Sequence, residues 1–280
     1  MGLASNTFSN KMNIEQLAEE KEQKLLQWFE SRSSVIVAYS GGVDSTYVLY
    51  VANRALGARA VGVSSFSETV PQIQKDYALE NARIIGARYE VICTHEMQKD
   101  SFVQNHPDRC FHCKDELYGV LKDLAATRHV ESIVDGTNLD DVGDYRPGRR
   151  AADLHGVQSP LVDVGMTKEE IRIRSRLAGL TTWSIPASAC LSSRIPHFSM
   201  ITLEKLRTVE SGEDFLRSLG FTQVRVRHHD QIVRLELSSA EMRKIWEEDL
   251  FGRITTYFKS LGFKYVTLDL EGYRTGSMNQ

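Results

Sequence analysis

The 280-residue chain has no apolar run near the roughly 20 residues a membrane-crossing helix needs, and no basic start followed by an apolar stretch. This predicts a soluble, unexported protein. It holds only four cysteines, Cys93, Cys110, Cys113 and Cys190, too few to staple a chain of this length with disulfides. Reduced thiols and a cytoplasmic location follow. An excess of basic charge is also missing: 34 Lys and Arg against 37 Asp and Glu give a formal net charge of -3. No global field therefore draws in nucleic acid, which weakens tRNA as a substrate and leaves only a local basic strip open. Nor is there the low-hydrophobicity, high-charge profile of a disordered chain, since 41% of residues are hydrophobic and 25% charged. The length suits one large folded domain or two of ordinary size.

Met1 to Asn13 is rich in Ser and Asn without apolar periodicity, and stands outside the fold reasoning as a flexible tail or an appended remnant. From Ile14 to Phe29 the apolar positions fall at helical spacing among Glu and Lys. Val35-Ile36-Val37-Ala38-Tyr39 is a continuous apolar run with the β-branching of a buried parallel strand. A glycine turn follows, then a helix over 46–56 and a strand over 60–65. The pattern repeats with helices over 73–85 and 114–126 and strands over 89–94 and 132–135. This alternation predicts an α/β fold with a doubly wound parallel sheet. After a helix over 167–178, the stretch 181–199 has no period and reads as a domain junction. Helices over 202–219 and 239–260, with strands over 224–228, 232–237 and 265–270, predict a smaller C-terminal α+β domain. The expected division is 14–180 and 181–280, with the active site between the two.

Ser40-Gly41-Gly42-Val43-Asp44-Ser45-Thr46 lies between an apolar strand and a helix, where successive main-chain N–H groups and the helix N-terminus cradle an anion. Glycine permits the close approach. The loop lacks the second glycine and the lysine of G-x-x-x-x-G-K-S/T, which argues against a kinase-like γ-phosphate site. The hydroxyls of Ser40, Ser45 and Thr46 supply further donors, and Asp44 helps hold Mg2+ against phosphates. The plainer alternative is a tight βα turn with serine caps.

At these residues the sequence resembles the PP-loop ATP pyrophosphatases, whose S-G-G-x-D-S signature holds the pyrophosphate released as ATP is split to AMP. The resemblance implies a Rossmann-like PP-loop domain, ATP and Mg2+ as cofactors, and adenylation of a carbonyl oxygen so that nitrogen or sulfur displaces AMP. A narrower resemblance rests on Asp135-Gly136-Thr137-Asn138, Asp144-Tyr145-Arg146-Pro147-Gly148, the string from Pro186 through Cys190-Leu191-Ser192-Ser193-Arg194 to Pro196, and Val224-Arg225-Val226-Arg227-His228. Together these resemble the LarE family over nearly the whole chain. That family transfers sulfur to pyridinium-3,5-biscarboxylic acid mononucleotide, making the thiocarboxylates of the nickel-pincer nucleotide. The resemblance implies that Ser193 and Arg194 belong to a substrate-side motif and that Glu213 occupies an acidic family position. Arg225 and Arg227, alternating along a strand, point to one face and suit the substrate's phosphate. A solvated strand face is the alternative for these arginines. The resemblance also implies a homo-oligomer.

LarE-like proteins either sacrifice the sulfur of their own cysteine or hold an iron-sulfur cluster on three cysteines. Here Cys110-Phe111-His112-Cys113 is a C-x-x-C, and Cys190 lies in the substrate-side motif. Three soft thiolates suit a 4Fe-4S cluster whose remaining iron accepts sulfide. A zinc site or redox dithiol and a sacrificial Cys190 stand as the other readings. Cys93, ending an apolar strand, reads as a core residue. The run from Lys168 through Arg174 reads as a solvated helix face, and His228 and His229 carry only a weak indication of ligand contact. The sulfur comes from a sulfide or persulfide source. The rival functions are tRNA thiolation, an amide-forming synthetase, and a nucleotide sensor without turnover.

Overall fold

The computed structural model describes residues 3–143, 147–185 and 189–274, with side chains from Ile14 onward. The backbone packs as two compact units: Met1–Ser67, Gln72–Glu96 and Cys110–Ser188 form one, and Glu68–Pro71, Met97–Arg109 and Ala189–Gln280 the other.

The first unit is built from α1 (Leu3–Glu30), β1 (Val35–Ala38), α2 (Val43–Leu56), β2 (Ala60–Ser65), α3 (Gln72–Ile85), β3 (Arg88–Ile92), α4 (Arg109–Arg128), β4 (Ser132–Val134), α5 (Pro147–His155) and α6 (Lys168–Leu177). Its four strands run in the order β3-β2-β1-β4, with each neighbouring pair parallel. Side chains alternate across a strand, so β1 feeds two cores. Val35 and Val37 pack with Leu25, Phe29 and Leu49 from α1 and α2, whereas Ile36 packs with Tyr118, Leu121 and Ala151 from α4 and α5. Helices therefore cover both faces, as a parallel sheet requires. The chain steps outward from β1 to β2 and β3, then returns to lay β4 on the opposite side of β1. That reversal opens a crevice at the carboxyl ends of β1 and β4, where open α/β sheets bind ligands.

The second unit contains α7 (Leu203–Ser218), β5 (Val224–His229), β6 (Ile232–Leu237), α8 (Phe251–Ser260) and β7 (Tyr265–Leu268). β5 pairs antiparallel with β6, and β6 parallel with β7. Val224 and Val226 turn to a core that includes Leu216, Leu235, Phe258 and Phe263. Arg225 and Arg227 accordingly occupy the other face.

Several expectations need correction. Residues 3–13 continue the α1 helix; with no Gly or Pro among them, extension of an existing helix is easy. The helix expected over 239–260 is broken, with a single turn at Lys244–Glu247, Asp249 at φ 48, and α8 starting at Phe251. The break lets both Ile245 and Leu250 enter the core, whereas residues five apart on a continuous helix face different directions. Cys93 is exposed rather than buried, because β3 ends at Ile92 and is an edge strand. α4 begins at Arg109, so the C-x-x-C is helical.

Two glycines give a stability test. A Cβ on Gly212 in α7 would lie 2.6 Å from Cε1 of the buried Phe258 ring, while one on Gly252 in α8 meets nothing within 4 Å. Gly212→Ala should cost about 1–3 kcal/mol through overpacking, and Gly252→Ala should gain about 0.5–1 kcal/mol through helix propensity. Urea unfolding of both variants checks the contrast, and an unchanged midpoint for Gly212→Ala would contradict the packing of α7 on α8.

Candidate functional site

The β1–α2 loop is held tightly at its base. Tyr39 N–H donates to Val63 O at 2.9 Å, and its hydroxyl donates to Ala78 O at 3.0 Å on α3. Gly41 has φ 74, and a Cβ there would sit 2.8 Å from Ala78 Cβ and 2.9 Å from its Cα. Both the left-handed backbone and the contact with α3 thus require glycine. Ser40 Oγ and Ser45 Oγ lie 3.0 Å apart, and Ser40 N–H donates to Ser45 Oγ at 3.2 Å. Gly42 caps α2 without a side-chain bond, so the first-turn N–H groups face the loop with no helical carbonyl to satisfy them. Together with the helix dipole they form an anion cradle. Thr46, expected among the phosphate donors, is 0% exposed and directs its hydroxyl to Tyr39 OH at 3.5 Å.

The end of β4 presses against this loop. A Cβ on Gly136 would fall 2.7 Å from Ser45 N and 2.9 Å from Ser45 Cα. Asp135 just before it is buried and fully engaged, accepting from Tyr118 OH at 3.1 Å, Thr137 N at 3.0 Å, Thr137 Oγ1 at 2.8 Å and Ser159 Oγ at 2.8 Å. Asp135 thereby shapes the edge of the sheet, and Gly136 gives the loop its neighbour.

Asp44 stands on the first turn of α2. Its Oδ2 accepts a hydrogen bond from Lys168 Nζ, while its buried Oδ1 has no partner among the described residues. Burial raises the Asp44 pKa, an effect that Lys168 partly offsets and the neighbouring Asp141 reinforces. An unfilled carboxylate oxygen beside an anion cradle fits a divalent cation. Lys168 was missed by the sequence reading, and its run of charges is not a solvated face. Glu170 is 2% exposed and accepts from Lys21 Nζ at 2.6 Å and Thr167 N–H at 2.7 Å. Arg174 donates to Glu22 at 2.9 and 3.0 Å. The partners come from α1 and α2, so spacing along α6 alone carries no sign of them.

In the second unit, Cys190 caps the single-turn helix Leu191–Arg194. Arg194 is 1% exposed; its Nε and Nη2 donate to Glu213 at 2.8 and 3.1 Å, and its Nη1 donates to the carbonyls of Ala189 at 2.6 Å and Cys190 at 2.9 Å and to Ser193 Oγ at 3.0 Å. Glu213 also accepts from Arg217 Nη2 at 2.9 Å. Arg227 donates twice to Glu236, at 2.9 Å each, and once to Ser193 O at 3.0 Å. Arg225 donates to Val224 O at 2.9 Å and to Tyr273 OH at 3.3 Å, with its guanidinium over the Tyr273 ring. Burial and the like charges of Arg194 and Arg227 lower the Arg225 pKa, and Glu213 opposes them. Ser193, Arg194, Glu213, Arg225 and Arg227 are thus brought together around the Cys190 segment. His228 is buried and accepts at Nδ1 from Asp230 N–H at 3.2 Å.

Cys110 and Cys113 sit one turn apart at the start of α4, Cys110 exposed and Cys113 half-buried. They belong to the first unit and Cys190 to the second. Among the described residues no group of three or more His, Cys, Asp or Glu is gathered as a metal site. Three thiols are nonetheless a donor set whose softness suits iron-sulfur ligation. Asp144, Tyr145 and Arg146, and Pro186, Ala187 and Ser188, lie outside the described residues.

No protein-family model matches the chain. It is 37% identical over 261 residues, covering 92% of this chain and 94% of the relative, to the pyridinium-3,5-bisthiocarboxylic acid mononucleotide synthase of Lactiplantibacillus plantarum (strain ATCC BAA-793 / NCIMB 8826 / WCFS1). An uncharacterized protein of Synechocystis sp. (strain ATCC 27184 / PCC 6803 / Kazusa) is 40% identical over 264 residues, or 94% of this chain and 98% of the relative. Another from Methanocaldococcus jannaschii is 29% identical over 241 residues, or 86% and 91% respectively.

The buried pair yields a pH prediction. Burial alone would raise the Glu213 pKa, but Arg194, Arg225 and Arg217 outweigh it and hold the carboxyl below its ordinary value. Because the folded value is the lower one, this stabilisation is present above the unfolded pKa and is lost as pH falls through the folded one. Stability should therefore drop as pH falls below about 4. Glu213→Gln should flatten that acid limb and, by leaving Arg194 unpaired, cost about 3–5 kcal/mol at neutral pH. Thermal unfolding between neutral and acid pH measures both, and a variant as stable as its parent would show the pair to be dispensable.

Proposed function

The chain belongs to the LarE family, and we propose that it is an ATP-dependent sulfur transferase acting on pyridinium-3,5-biscarboxylic acid mononucleotide. In this reading it adenylates a substrate carboxylate and replaces the adenylate with sulfur, giving a thiocarboxylate for the nickel-pincer nucleotide. The observation that carries the reading is the S-G-G-V-D-S loop, buttressed by Gly136 and carrying the half-satisfied Asp44 at the switch point of the sheet.

The chemistry divides into two displacements. The substrate carboxylate is a poor electrophile, since attack on it would have to expel oxide. Its oxygen instead attacks the α-phosphorus of ATP; that O–P bond forms, the bond to the β-phosphate bridging oxygen breaks, and pyrophosphate leaves. Ser40, Gly41, Gly42 and Ser45 line the cradle for the leaving phosphates, and Asp44 would hold Mg2+, which when bound neutralises their charge. A sulfide sulfur then attacks the acyl carbon; the C–S bond forms, AMP departs with the electron pair of the C–O bond, and the thiocarboxylate remains.

Arg225, set among like charges, favours an anion that relieves their repulsion and is assigned to the substrate phosphate, while Arg227, expected to join it, is buried against Glu236 and the Ser193 carbonyl and acts as its support. Arg194, locked by Glu213, positions the main chain of Cys190. The thiols Cys110, Cys113 and Cys190 would hold a 4Fe-4S cluster, which when bound supplies a site for exogenous sulfide. A second reading makes Cys190 the sacrificial donor, supported by its place beside Ser193 and Arg194. Action in the cytoplasm as a homo-oligomer completes the proposal; no helix among the described residues is long and apolar enough to cross a membrane.

Asp44→Asn should abolish pyrophosphate release from ATP plus substrate while the variant remains folded; normal release would remove Asp44 from the mechanism. Anaerobic purification with iron and acid-labile sulfide analysis separates the sulfur sources. Under the cluster reading, the parent chain holds about four irons, and Cys110→Ala, Cys113→Ala and Cys190→Ala each lose them. An iron-free chain that makes product once and emerges about 34 Da lighter, the mass of the hydrogen sulfide that Cys190 gives up in becoming dehydroalanine, establishes sacrificial donation instead.

A further inference from the structure

Lys168 reaches the anion cradle from a fixed pivot. It is the first residue of α6, where Thr167 and Glu170 form a reciprocal capping box, and its own backbone N–H donates to Asp140 Oδ2 at 2.8 Å. The backbone is therefore anchored, and only the four-carbon arm has room to move. That arm is 30% exposed, and its ammonium rests on Oδ2 of Asp44, itself 20% exposed. The other oxygen, Oδ1, is buried and has no partner among the described residues.

A monocation on one oxygen leaves the carboxylate half compensated, which is what a group awaiting a divalent ion looks like. Arg172, one turn along α6, also acts on Asp44 electrostatically. Its guanidinium, however, is committed to the carbonyls of Trp183 and Ile185, the latter at 2.9 Å. Lys168 is thus the cation near Asp44 whose side chain can leave without breaking a bond to the backbone.

We propose that Lys168 is a placeholder for the divalent cation on Asp44, and that it releases the carboxylate when ATP·Mg2+ enters and turns its ammonium to a phosphate oxygen of the nucleotide. The placeholder role rests on Asp44 and Lys168 alone, while the phosphate contact rests on the ATP chemistry proposed above. The exchange balances charge: Asp44 would hold the dication in place of the ammonium, and the displaced ammonium would meet the extra negative charge that the nucleotide brings. A lysine suits this better than an arginine, because it is a compact point charge on a flexible stem with no planar fork to satisfy.

The test uses Mn2+ as the probe, titrated by electron paramagnetic resonance into the full chain without nucleotide. If Lys168 competes for Asp44, Lys168→Met should bind Mn2+ about tenfold more tightly than the parent, and adding Asp44→Asn should erase the gain. A merely structural lysine would leave that affinity unchanged or weaken it, and either result overturns the proposal. With ATP, Mg2+ and substrate present, Lys168→Met should slow pyrophosphate release by about a hundredfold, with partial recovery in Lys168→Arg. Should Lys168→Met fail to fold, Lys168→Gln carries the same titration. Tighter Mn2+ binding in a chain whose parent releases no pyrophosphate would retain Lys168 as placeholder and discard the proposed adenylation; a titration unchanged by the mutation, with normal sulfur transfer by the parent, would do the reverse.

Discussion

The first unit depends on one close approach, that of the end of β4 to the start of α2. Gly136 must lack a side chain because a Cβ would stand 2.7 Å from Ser45 N and 3.1 Å from Asp44 C. That contact fixes where the N-terminus of α2 lies relative to the sheet edge, and so where its first-turn N–H groups aim. Gly41 imposes the matching constraint from the other side, where α3 occupies the space its Cβ would need. Between these two contacts the loop is confined by backbone packing, and side-chain bonds add to it: Gln74 Nε2 donates to Ser40 O at 2.8 Å, Ser45 Oγ donates to Gly42 O at 3.3 Å, and the Ser40 and Ser45 hydroxyls lie beside each other. Preorganised donors of this kind stabilise developing charge without reorganising during the reaction, which is where electrostatic catalysis gains most.

Buried ion pairs do the corresponding work in the second unit. Arg194 with Glu213 and Arg227 with Glu236 are each joined by two hydrogen bonds, and all four side chains are almost fully buried. Desolvating such charges costs nearly as much as their attraction returns, so apolar residues of similar volume would stabilise the fold as well. What the pairs add is placement. Both arginines spend a remaining donor on the segment that carries Cys190, at the carbonyls of Ala189, Cys190 and Ser193. A guanidinium whose plane is set by a bidentate carboxylate is a rigid donor, and the carbonyls it holds inherit that rigidity.

The alternating strands and helices of the first unit were legible because each buried strand reads as an apolar run and each helix as a 3.6-residue pattern, both local signals. The Ser40–Ser45 loop was legible for the same reason. Lys168 was not, since its partner Asp44 is 124 residues away and nothing in the spacing of α6 marks that face as buried. The same holds for Glu170 and Arg174, whose partners Lys21 and Glu22 lie on α1. Charged runs look alike whether water or a distant counter-charge receives them, and only the fold distinguishes the two. Cys93 failed from the opposite direction: an apolar stretch suggested burial, but β3 closes the sheet and leaves the residue after it exposed. Gly136 was visible as part of a motif, though its steric necessity appears only once Ser45 is placed beside it.

The two units handle positive charge in different ways, and the difference follows from what each must do. A cradle that admits ATP and then lets pyrophosphate go cannot hold its cations too firmly, because every turnover has to reverse the binding. In the proposed reaction a helix dipole, serine hydroxyls and a lysine on a flexible stem meet that need, since Asp44 already gives Lys168 an internal partner in the absence of the anion. The segment that presents Cys190 has the opposite requirement. In the proposed sulfur transfer to an acyl carbon the donor must be held in one geometry, and a main chain gripped by two carboxylate-locked arginines would give up little entropy at the moment of attack. Substituting one arrangement for the other would fail on both counts: a locked arginine at Asp44 would resist release of pyrophosphate, and a mobile lysine at position 194 would leave the Ala189 and Cys190 carbonyls without a fixed donor.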